Sequence, residues 1–282
     1  MRLALLGDLH EHWTAEDVAT IDAAGYDLAL FVGDLADPLH RRTLEVAQRV
    51  GALRTPALLL PGNHDGTTPG GVLGEALKVG VQRPGAAARA VARIEALERA
   101  LDPVRLAGFS VHPFADHGIT IVAARPHAMD GARLCFAPLL RARHGVATLE
   151  ESVARLRALV DQAEGDLVFL AHNGPFGFGA DAAAPWSVFG RDLGDPDLAE
   201  AIRYAKERGR RVLAVLAGHI HHRGGRRWLL EVDGTVYVNA ARVPRVFVAD
   251  GRAIRQHVEV VIESGRARVR EVRIELTPPT AA

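Results

Sequence analysis

Five apolar runs of strand length along the chain each stop at a polar residue. The polar residues are Asp8, Asp34, Asn63, His172 and His219, and glycine precedes four of them. A continuous apolar run of this length is typical of a strand that is buried on both faces. Polar side chains at the ends of buried strands add little to a core, so the pattern predicts a functional site along one edge of a sheet.

Helical signals lie between the first three runs. Thr14, with Asp17 three residues later, predicts an N-cap and a helix that ends near Gly25. Asp37-Pro38 predicts the start of a second helix, because proline is favoured at the first helical position. The order strand, helix, strand, helix, strand over residues 2–60 predicts a parallel sheet with helices on its faces.

The same alternation continues through the middle of the chain. Gly, Thr and Pro predict a loop over residues 66–85. Apolar residues at helical spacing predict a helix over residues 86–101 that lies over the site. A capping box at Thr148–Glu151 and the pair Asp195-Pro196 predict the starts of two further helices. Residues 174–194 are predicted to form a long loop, and loops of this length are usually functional or mobile.

Strand patterns joined by short turns replace this alternation after His222. Five stretches between Trp228 and Leu276 have strand character and predict an antiparallel meander. No linker divides the chain, so residues 1–276 are expected to form a single domain. Residues 66–116 are expected to be an insertion that can cap the site, and residues 277–282 a flexible tail.

Composition and charge narrow the class of protein. The chain has 282 residues, of which 48% are hydrophobic and 24% charged, as in ordinary globular domains. The formal net charge is zero, so no overall field attracts nucleic acid or acidic membranes. The single cysteine, Cys135, excludes an internal disulfide and a multi-cysteine zinc site. No apolar run approaches the roughly 18 residues of a membrane span, and the N-terminal run is too short for a signal peptide, so a cytoplasmic protein is expected.

Ligands of open α/β sheets bind beyond the carboxyl ends of the strands, and seven suitable side chains lie at such ends. They are Asp8, His10, Asp34, Asn63, His172, His219 and His221. They offer only imidazole nitrogens and carboxylate or amide oxygens, a set that suits Mn, Fe, Zn or Ni better than Ca or Mg. Seven ligands are too many for one tetrahedral ion and suit two ions that share a carboxylate. The glycines before the motifs would let the backbone approach the metals closely.

Five sequence blocks connect these side chains to a known family. They are Asp8-Leu9-His10, Gly33-Asp34, Gly62-Asn63-His64-Asp65, His172 and Gly218-His219-Ile220-His221. In this order and spacing they resemble the calcineurin-like metallophosphoesterase superfamily, and the resemblance extends from Leu3 to about Val238. It implies an α/β fold in the form of a four-layer αββα sandwich, with two mixed sheets flanked by helices. It also implies a metal-dependent phosphoric ester hydrolase with two divalent transition-metal ions, Mn before Fe, Zn or Ni.

The resemblance assigns roles to individual residues. One metal ion would be held by Asp8, His10, Asp34 and His221. The other would be held by Asp34, Asn63, His172 and His219. Asp34 would bridge the ions, and a hydroxide between them would attack phosphorus in line. His64 would face the substrate and either protonate the leaving group or stabilise the transition state.

Two departures from the superfamily's protein phosphatases bear on the substrate. Those enzymes carry Asp-Arg-Gly after the second block and Glu after the Asn-His pair, whereas this chain has Asp34-Leu35-Ala36-Asp37-Pro38 and Asp65. A small phosphodiester or phosphomonoester is therefore the expected substrate. A nuclease of the same superfamily and a non-catalytic metal-binding scaffold are the alternatives. The nuclease is disfavoured because the chain has no basic, aromatic-rich stripe.

Arg125 is a further candidate, for substrate binding. It ends a strand beside the motif strands, and the planar fork of a guanidinium suits phosphate. A surface salt bridge would explain Arg125 equally well. Six histidines match no block, and surface positions or local hydrogen bonds are expected for them: His12, His40, His112, His117, His144 and His257.

Overall fold

Two mixed β-sheets stack face to face at the centre of the computed structural model, which describes residues 1–36, 39–78, 85–131, 133–178, 184–223 and 227–276. In these ranges the strands are Arg2–Leu6 (β1), Leu28–Phe31 (β2), Ala57–Leu59 (β3), Arg105–Leu106 (β4), Ser110–Phe114 (β5), Ile119–Ala123 (β6), Asp166–Leu170 (β7), Ser187–Val188 (β8), Arg191–Asp192 (β9), Val212–Ala217 (β10), Leu229–Val232 (β11), Thr235–Asn239 (β12), Val246–Ala249 (β13), Arg252–Glu263 (β14) and Arg266–Glu275 (β15). The helices are Ala15–Ala23 (α1), Thr43–Gly51 (α2), Pro69–Ala76 (α3), Ala86–Leu101 (α4), Ala137–His144 (α5), Leu149–Gln162 (α6) and Pro196–Glu207 (α7).

The first sheet has the strand order β13-β14-β1-β2-β3-β4, and β15 pairs with β14. Strands β1 to β4 are parallel to one another, whereas β14 is antiparallel to β1, β13 and β15. Phe31 pairs with Leu6 on one side and with Leu59 on the other. The three strands that precede the first three sequence blocks therefore end at the same level.

The second sheet has the strand order β11-β12-β10-β7-β6-β5. Its four inner strands are parallel, and the edge strands β5 and β11 are antiparallel to their neighbours. Leu170 of β7 pairs with Leu216 of β10, which brings the ends that carry His172 and His219 side by side. Strands β8 and β9 form a separate hairpin.

Three apolar clusters separate the layers of the molecule. Alternate residues of a strand point to opposite faces of its sheet, so Leu5 enters the cluster between the sheets and Leu6 enters the cluster under the helices. That second cluster packs α1, α2 and α4 on the first sheet through residues such as Ile21 and Leu97. A third cluster, which includes the fully buried Leu156, packs α6 and α7 on the second sheet. The predicted αββα sandwich of two mixed sheets is thus confirmed.

The capping predictions for two helices are confirmed. The Thr14 side chain accepts a hydrogen bond from the Asp17 backbone N–H, and the Asp17 carboxylate accepts one from the Thr14 N–H at the start of α1. Thr148 and Glu151 form the same reciprocal pair at the start of α6. Two of the donors that a helix N-terminus leaves unpaired are satisfied in each case.

Several other local predictions need correction. Helix α2 begins at Thr43, beyond the predicted start at Asp37-Pro38, and that pair lies outside the described residues. The predicted loop over residues 66–85 contains α3. This helix was not predicted because Gly70 and Gly71 have poor helix propensity. The predicted loop over residues 174–194 contains the β8–β9 hairpin.

The stretch of residues 66–116 is built into the sandwich. Helix α4 packs through Ile94 and Leu97 on the outer face of the first sheet, rather than over the site as the sequence suggested. Strand β4 is an edge strand of the first sheet, and β5 is an edge strand of the second. A capping role for this stretch stays a prediction, and the predicted tail at residues 277–282 lies outside the described residues.

The single antiparallel meander predicted after His222 is wrong. Strands β11 and β12 belong to the second sheet, whereas β13, β14 and β15 belong to the first. The chain changes sheets between Asn239 and Val246. An alternating pattern identifies a strand that is buried on one face, but both sheets bury one face against the same inner cluster, so the pattern does not say which sheet the strand joins.

Candidate metal centre

The polar ends of the parallel strands meet at one edge of the sandwich. Asp8, Asp34 and Asn63 follow β1, β2 and β3, and these three strands end in register. His172 follows β7 in the other sheet, and its Nδ1 atom lies 2.5 Å from the carbonyl oxygen of Val32. This contact joins the two sheets at the edge where the sequence predicted a site.

Asp8, His10 and His221 form the first group of possible metal ligands. One ligand atom of each lies within 4.8 Å of the others, and the Nε2 atoms of His10 and His221 are 2.9 Å apart. The Nδ1 atom of His10 lies 2.8 Å from the carbonyl oxygen of Ala36. A carbonyl can only accept, so Nδ1 carries the proton and the Nε2 lone pair is left for a cation.

Asp34, His172 and His219 form the second group, again with ligand atoms within 4.8 Å of one another. His172 binds the Val32 carbonyl through Nδ1, and its Nε2 atom lies 3.0 Å from Oδ1 of Asn63 and 3.6 Å from Oδ2 of Asp34. His219 directs Nε2 to the carbonyl oxygen of Met129 at 2.9 Å, which leaves Nδ1 as its ligand atom. The two histidines therefore present opposite ring nitrogens.

One carboxylate of this edge, that of Asp8, is buried without a positive partner for both of its oxygens. Oδ1 of Asp8 is buried and has no hydrogen-bond partner in the described part of the chain, while Oδ2 accepts from the His219 backbone N–H at 2.8 Å. Burial and the nearby charge of Asp34 raise the pKa of Asp8. Burial also acts to raise the pKa of Asp34, but His172 and two other histidines outweigh it and the pKa is lowered. A bound cation would satisfy the orphaned oxygen, so these residues fit a metal.

Burial holds three imidazoles of the site, those of His172, His219 and His221, in the form that binds metal. Burial, followed by the charge of a neighbouring histidine, lowers the pKa of His219 and of His221 to about 4. Burial also lowers the pKa of His172. A neutral ring at neutral pH has a lone pair to donate to a cation, without first releasing a proton.

Backbone conformation shows that the ligand loops are strained. The φ angles of Asp8, His10, Asp34 and His219 are 43°, 42°, 53° and 71°. Non-glycine residues in this left-handed region carry a conformational cost and cluster at functional sites. The surrounding contacts hold these four residues there, in the positions that bring their side chains together.

Two glycines allow the second and third sequence blocks to lie against each other. A Cβ atom on Gly33 would lie 2.3 Å from the backbone nitrogen of Gly62. A Cβ atom on Gly62 would lie 2.2 Å from Oδ1 of Asp34 and 2.6 Å from Cε1 of His172. No side chain fits at either position without displacing these neighbours, which explains why glycine precedes Asp34 and Asn63.

The Asp65 side chain joins the second and third sequence blocks through hydrogen bonds to their backbone. Its fully buried carboxylate accepts from the backbone N–H groups of Asp34 at 2.8 Å, Leu35 at 3.0 Å and Gly62 at 2.9 Å. Burial, followed by the charge of Asp34, raises the pKa of Asp65 to about 7 against the opposing effect of the three donors. Asp65 thus orients the ligand turns without reaching the metal groups itself.

The structure brings His64 to the same edge and places Arg125 in a buried ion-pair cluster. His64 follows Asn63, and its backbone N–H donates to Oδ1 of Asp34 at 2.9 Å. Arg125 is only 1% exposed, and its guanidinium lies 2.9 Å from Asp195 and 2.8 Å from Asp197. A role of Arg125 in substrate binding stays a prediction, and none of these contacts supports it. Arg125 does form a salt bridge, but the salt bridge is buried rather than at the surface.

Sequence reasoning missed the groups that orient the ligands. The carbonyl oxygens of Val32, Ala36 and Met129 fix three of the histidine rings, and a backbone carbonyl has no sequence signal. His40 was assigned no functional role, yet its Nε2 atom lies 2.8 Å from Nδ1 of His64. Its position six residues after the candidate ligand Asp34 was the one sequence signal available for it.

Comparison with known proteins agrees with this geometry. The chain belongs to the calcineurin-like phosphoesterase family, whose model matches residues 1–223. Members of this family typically depend on two metal ions, and the two ligand groups described above are the candidates in this chain. A comparison with curated protein sequences gives no significant match.

Solved structures of similar fold include phosphatases and nucleotidases. A dimetal phosphatase from Danio rerio superposes with a TM-score of 0.54 at 11% identity, over 98% of this chain and 99% of the other. A putative 5'-nucleotidase from Staphylococcus aureus gives 0.54 at 11% identity, over 99% of this chain and 55% of the other. The NAD nucleotidase of Haemophilus influenzae gives 0.50 at 9% identity, over 98% and 50%. At these identities the likeness shows the fold, and the chain spans about half of the two nucleotidases.

No helix in the described ranges is both long enough and apolar enough to cross a bilayer.

Proposed function

We propose that this chain is a binuclear metal-dependent phosphoesterase that hydrolyses a small phosphodiester or phosphomonoester. The proposal rests above all on the adjacency of the two ligand groups, since the His172 ring lies 3.6 Å from Asp34 and 3.8 Å from Asp8. Membership of the calcineurin-like phosphoesterase family supports it. The donor set of imidazole nitrogens and carboxylate or amide oxygens, without thiolate, suits Mn, Fe, Zn or Ni, and Mn is the first candidate.

The seven donors would divide between two ions. Asp8, His10, Asp34 and His221 would hold one ion. Asp34, Asn63, His172 and His219 would hold the other, so that Asp34 is shared. Two divalent ions bound there would lower the pKa of a water molecule between them and neutralise the oxygens of a phosphoryl group.

His64 would act on the leaving group. Its backbone is tied to Asp34, and its ring stands edge to face beside His10, with the centroids 5.9 Å apart. A proton passed from His64 to the leaving oxygen as the P–O bond breaks would avoid release of a free alkoxide. General acid catalysis of this kind contributes about 10²–10⁴-fold.

The choice of leaving group tests this assignment. Nitrophenolate leaves readily without a proton, whereas an alkoxide does not. His64→Ala should lower the hydrolysis of an alkyl or nucleoside phosphodiester by about 10²–10⁴-fold, and that of bis-p-nitrophenyl phosphate far less. Its Mn²⁺ content should equal that of the parent. His117→Ala is the matched control, because His117 is exposed and lies outside both ligand groups.

Three outcomes would contradict the proposal in different ways. If the Mn²⁺-reconstituted parent hydrolysed no phosphate ester, the enzyme proposal would be rejected in favour of a non-catalytic metal-binding scaffold. Loss of a metal ion in His64→Ala would make His64 a ligand. Equal losses on both esters would favour charge stabilisation in the transition state over proton donation.

A further inference from the structure

A hydrogen bond joins His64 to a histidine outside the five sequence blocks. His40 lies between β2 and α2, and its Nε2 atom is 2.8 Å from Nδ1 of His64. The two rings meet edge to face, with centroids 5.0 Å apart and an interplanar angle of 83°. Nδ1 of His64 is therefore engaged by His40, and Nε2 is the nitrogen that remains for a substrate.

His40 is attached to the same turn as His64 and is held in an unusual backbone conformation. Its φ angle of 55° lies in the left-handed region, where an outlier is a reason to look for function. Its Nδ1 atom lies 3.4 Å from the carbonyl oxygen of Thr67. The Thr67 hydroxyl in turn donates to the carbonyl oxygen of Asn63 at 2.6 Å. The His40 ring thus bridges the start and the end of the turn from Asn63 to Thr67.

These contacts decide which ring nitrogens carry protons. The Thr67 carbonyl can only accept a hydrogen bond, so Nδ1 of His40 must carry the proton to donate to it. The Nε2 atom of His40 then has a lone pair that faces His64. A proton on Nδ1 of His64 then completes the 2.8 Å hydrogen bond. We propose that His40 is a positioning residue, which accepts this Nδ1–H and thereby aims Nε2 of His64 at the leaving-group oxygen. The inference rests on the proposed role of His64 as general acid.

The proton movements in this step balance without a change at His40. A water-derived oxygen bonds to phosphorus as the P–O bond to the leaving group breaks, and the electron pair of the broken bond goes to the leaving oxygen. That oxygen takes the proton from Nε2 of His64, while the Nδ1 proton stays on His64 and continues to be donated to Nε2 of His40. The ring keeps one orientation before and after the transfer, which is the benefit of a fixed acceptor behind a general acid.

Two amide substitutions of His40 separate the loss of its hydrogen bond to His64 from any effect on its left-handed backbone conformation. The side-chain oxygen of His40→Gln reaches about as far as Nε2 and can still accept from His64. His40→Asn tolerates the left-handed backbone, but its side chain reaches only about as far as Nδ1. His40→Asn and His40→Ala should lower kcat on an alkyl phosphodiester by about ten- to a hundredfold, as is typical of partners that orient a functional histidine. His40→Gln should recover most of the loss.

A double-mutant cycle with His64→Ala shows whether His40 acts through His64. If it does, His40→Ala has no further effect once residue 64 is alanine. Metal content should stay at the parent value, and hydrolysis of bis-p-nitrophenyl phosphate should change little. An equal loss from His40→Ala in both backgrounds would overturn the inference, because His40 would then act on the substrate or the fold directly. Parent-like kinetics of His40→Ala on the alkyl ester would overturn it as well.

Nitrogen NMR of the His64 ring gives a readout that does not depend on turnover. When the ring is neutral, His64 should carry its proton on Nδ1 in the parent and in His40→Gln. In His40→Asn the proton should shift towards Nε2. An unchanged tautomer would overturn the role of His40 even in an active enzyme. The expected tautomers in a protein that hydrolyses no ester would reject the proposed function instead and support the contact.

Discussion

The Nε2 atoms of His10 and His221 lie 2.9 Å apart, although 211 positions separate the two residues in the sequence. Without a cation between them, one of the two nitrogens must carry a proton and donate it in a hydrogen bond to the other. Both can direct lone pairs to one point when a cation lies there. The Ala36 carbonyl, 2.8 Å from the other nitrogen of His10, favours the second arrangement because it fixes the proton away from the pair.

Substitution of the shared and unshared ligands should distinguish two metal sites. Asp34→Ala should lower the content of both ions, because a shared carboxylate supports both. His221→Ala should lower the content of one ion and leave the second nearly full. Elemental analysis of the two variants and the parent, side by side after Mn²⁺ reconstitution, measures the stoichiometry.

The same experiment has a control and a result that would contradict it. His117→Ala, at an exposed position, should retain the metal content of the parent. If Asp34→Ala and His221→Ala each lost one ion only, Asp34 would not be shared. A parent that never binds more than one ion would exclude the binuclear centre altogether.

Gly62→Ala should disrupt the centre by crowding alone. The new Cβ atom would lie 2.2 Å from Oδ1 of Asp34 and 2.6 Å from His172, so the ligands must move. We expect a loss of metal content, and a destabilisation of about 1–3 kcal/mol, as for other overpacked sites. Metal analysis and urea denaturation measure the two effects.

Gly70→Ala is the matched control for this change. Gly70 lies in α3, and a Cβ atom there would have no neighbour within 4 Å. Alanine at this position should leave the metal content unchanged and stabilise the helix by up to about 1 kcal/mol. Full metal content in Gly62→Ala would show that the ligand turns can separate without loss of the site.

The edge of the sandwich could be predicted from the sequence because its signals are local. An apolar run predicts a buried strand, and the polar residue directly after it must lie at the strand's carboxyl end. Asp8, Asp34 and Asn63 were placed in this way, and the structure brings them to one edge. Capping boxes such as Thr14 with Asp17 are equally local, since donor and acceptor lie within one helical turn.

The rest depended on contacts between distant parts of the chain. Arg125 meets Asp195 and Asp197 only when the second sheet and α7 are in place, so the sequence could not show that its salt bridge is buried. The strands after His222 divide between two sheets for the same reason, because their partners are chosen by tertiary packing. His40 acquires its role only when its loop folds against the turn that carries His64.

Arg125→Ala should change stability rather than substrate binding. The substitution would leave the carboxylates of Asp195 and Asp197 buried without their cation, and breaking a buried pair in this way typically costs about 3–5 kcal/mol. Urea denaturation measures the loss. Arg252→Ala is the control, because Arg252 and its partner Glu275 are 65% and 54% exposed and exposed pairs contribute about 0–1 kcal/mol. A stable Arg125→Ala protein with a raised KM would restore the substrate-binding role.

A buried histidine far from the metal centre should make stability depend on pH. His257 is 3% exposed, and the hydroxyl of Tyr26 lies 2.8 Å from its Nε2 atom, where it can donate to the neutral ring. Burial, followed by the charge of Arg245, lowers the pKa of His257 to about 4, whereas an unfolded histidine titrates near 6.5. The unfolded chain therefore binds more protons between these values, and the folded state loses stability as the pH falls from about 6.5 to about 4.

His257→Gln removes this titration while keeping a side-chain oxygen that can accept from Tyr26. One histidine contributes about 1.4 kcal/mol per pH unit within its window, so the parent should lose about 2 kcal/mol more than the variant between pH 7 and pH 5. Urea denaturation of both proteins in chelator, at the two pH values, measures the difference, and the metal-ligand histidines cancel because they are common to both. Identical pH dependence would mean that the folded protein accepts a proton on His257 as readily as the unfolded chain does. The Tyr26 contact would then have to rearrange at mild acidity, which the ring NMR signals of Tyr26 would report directly.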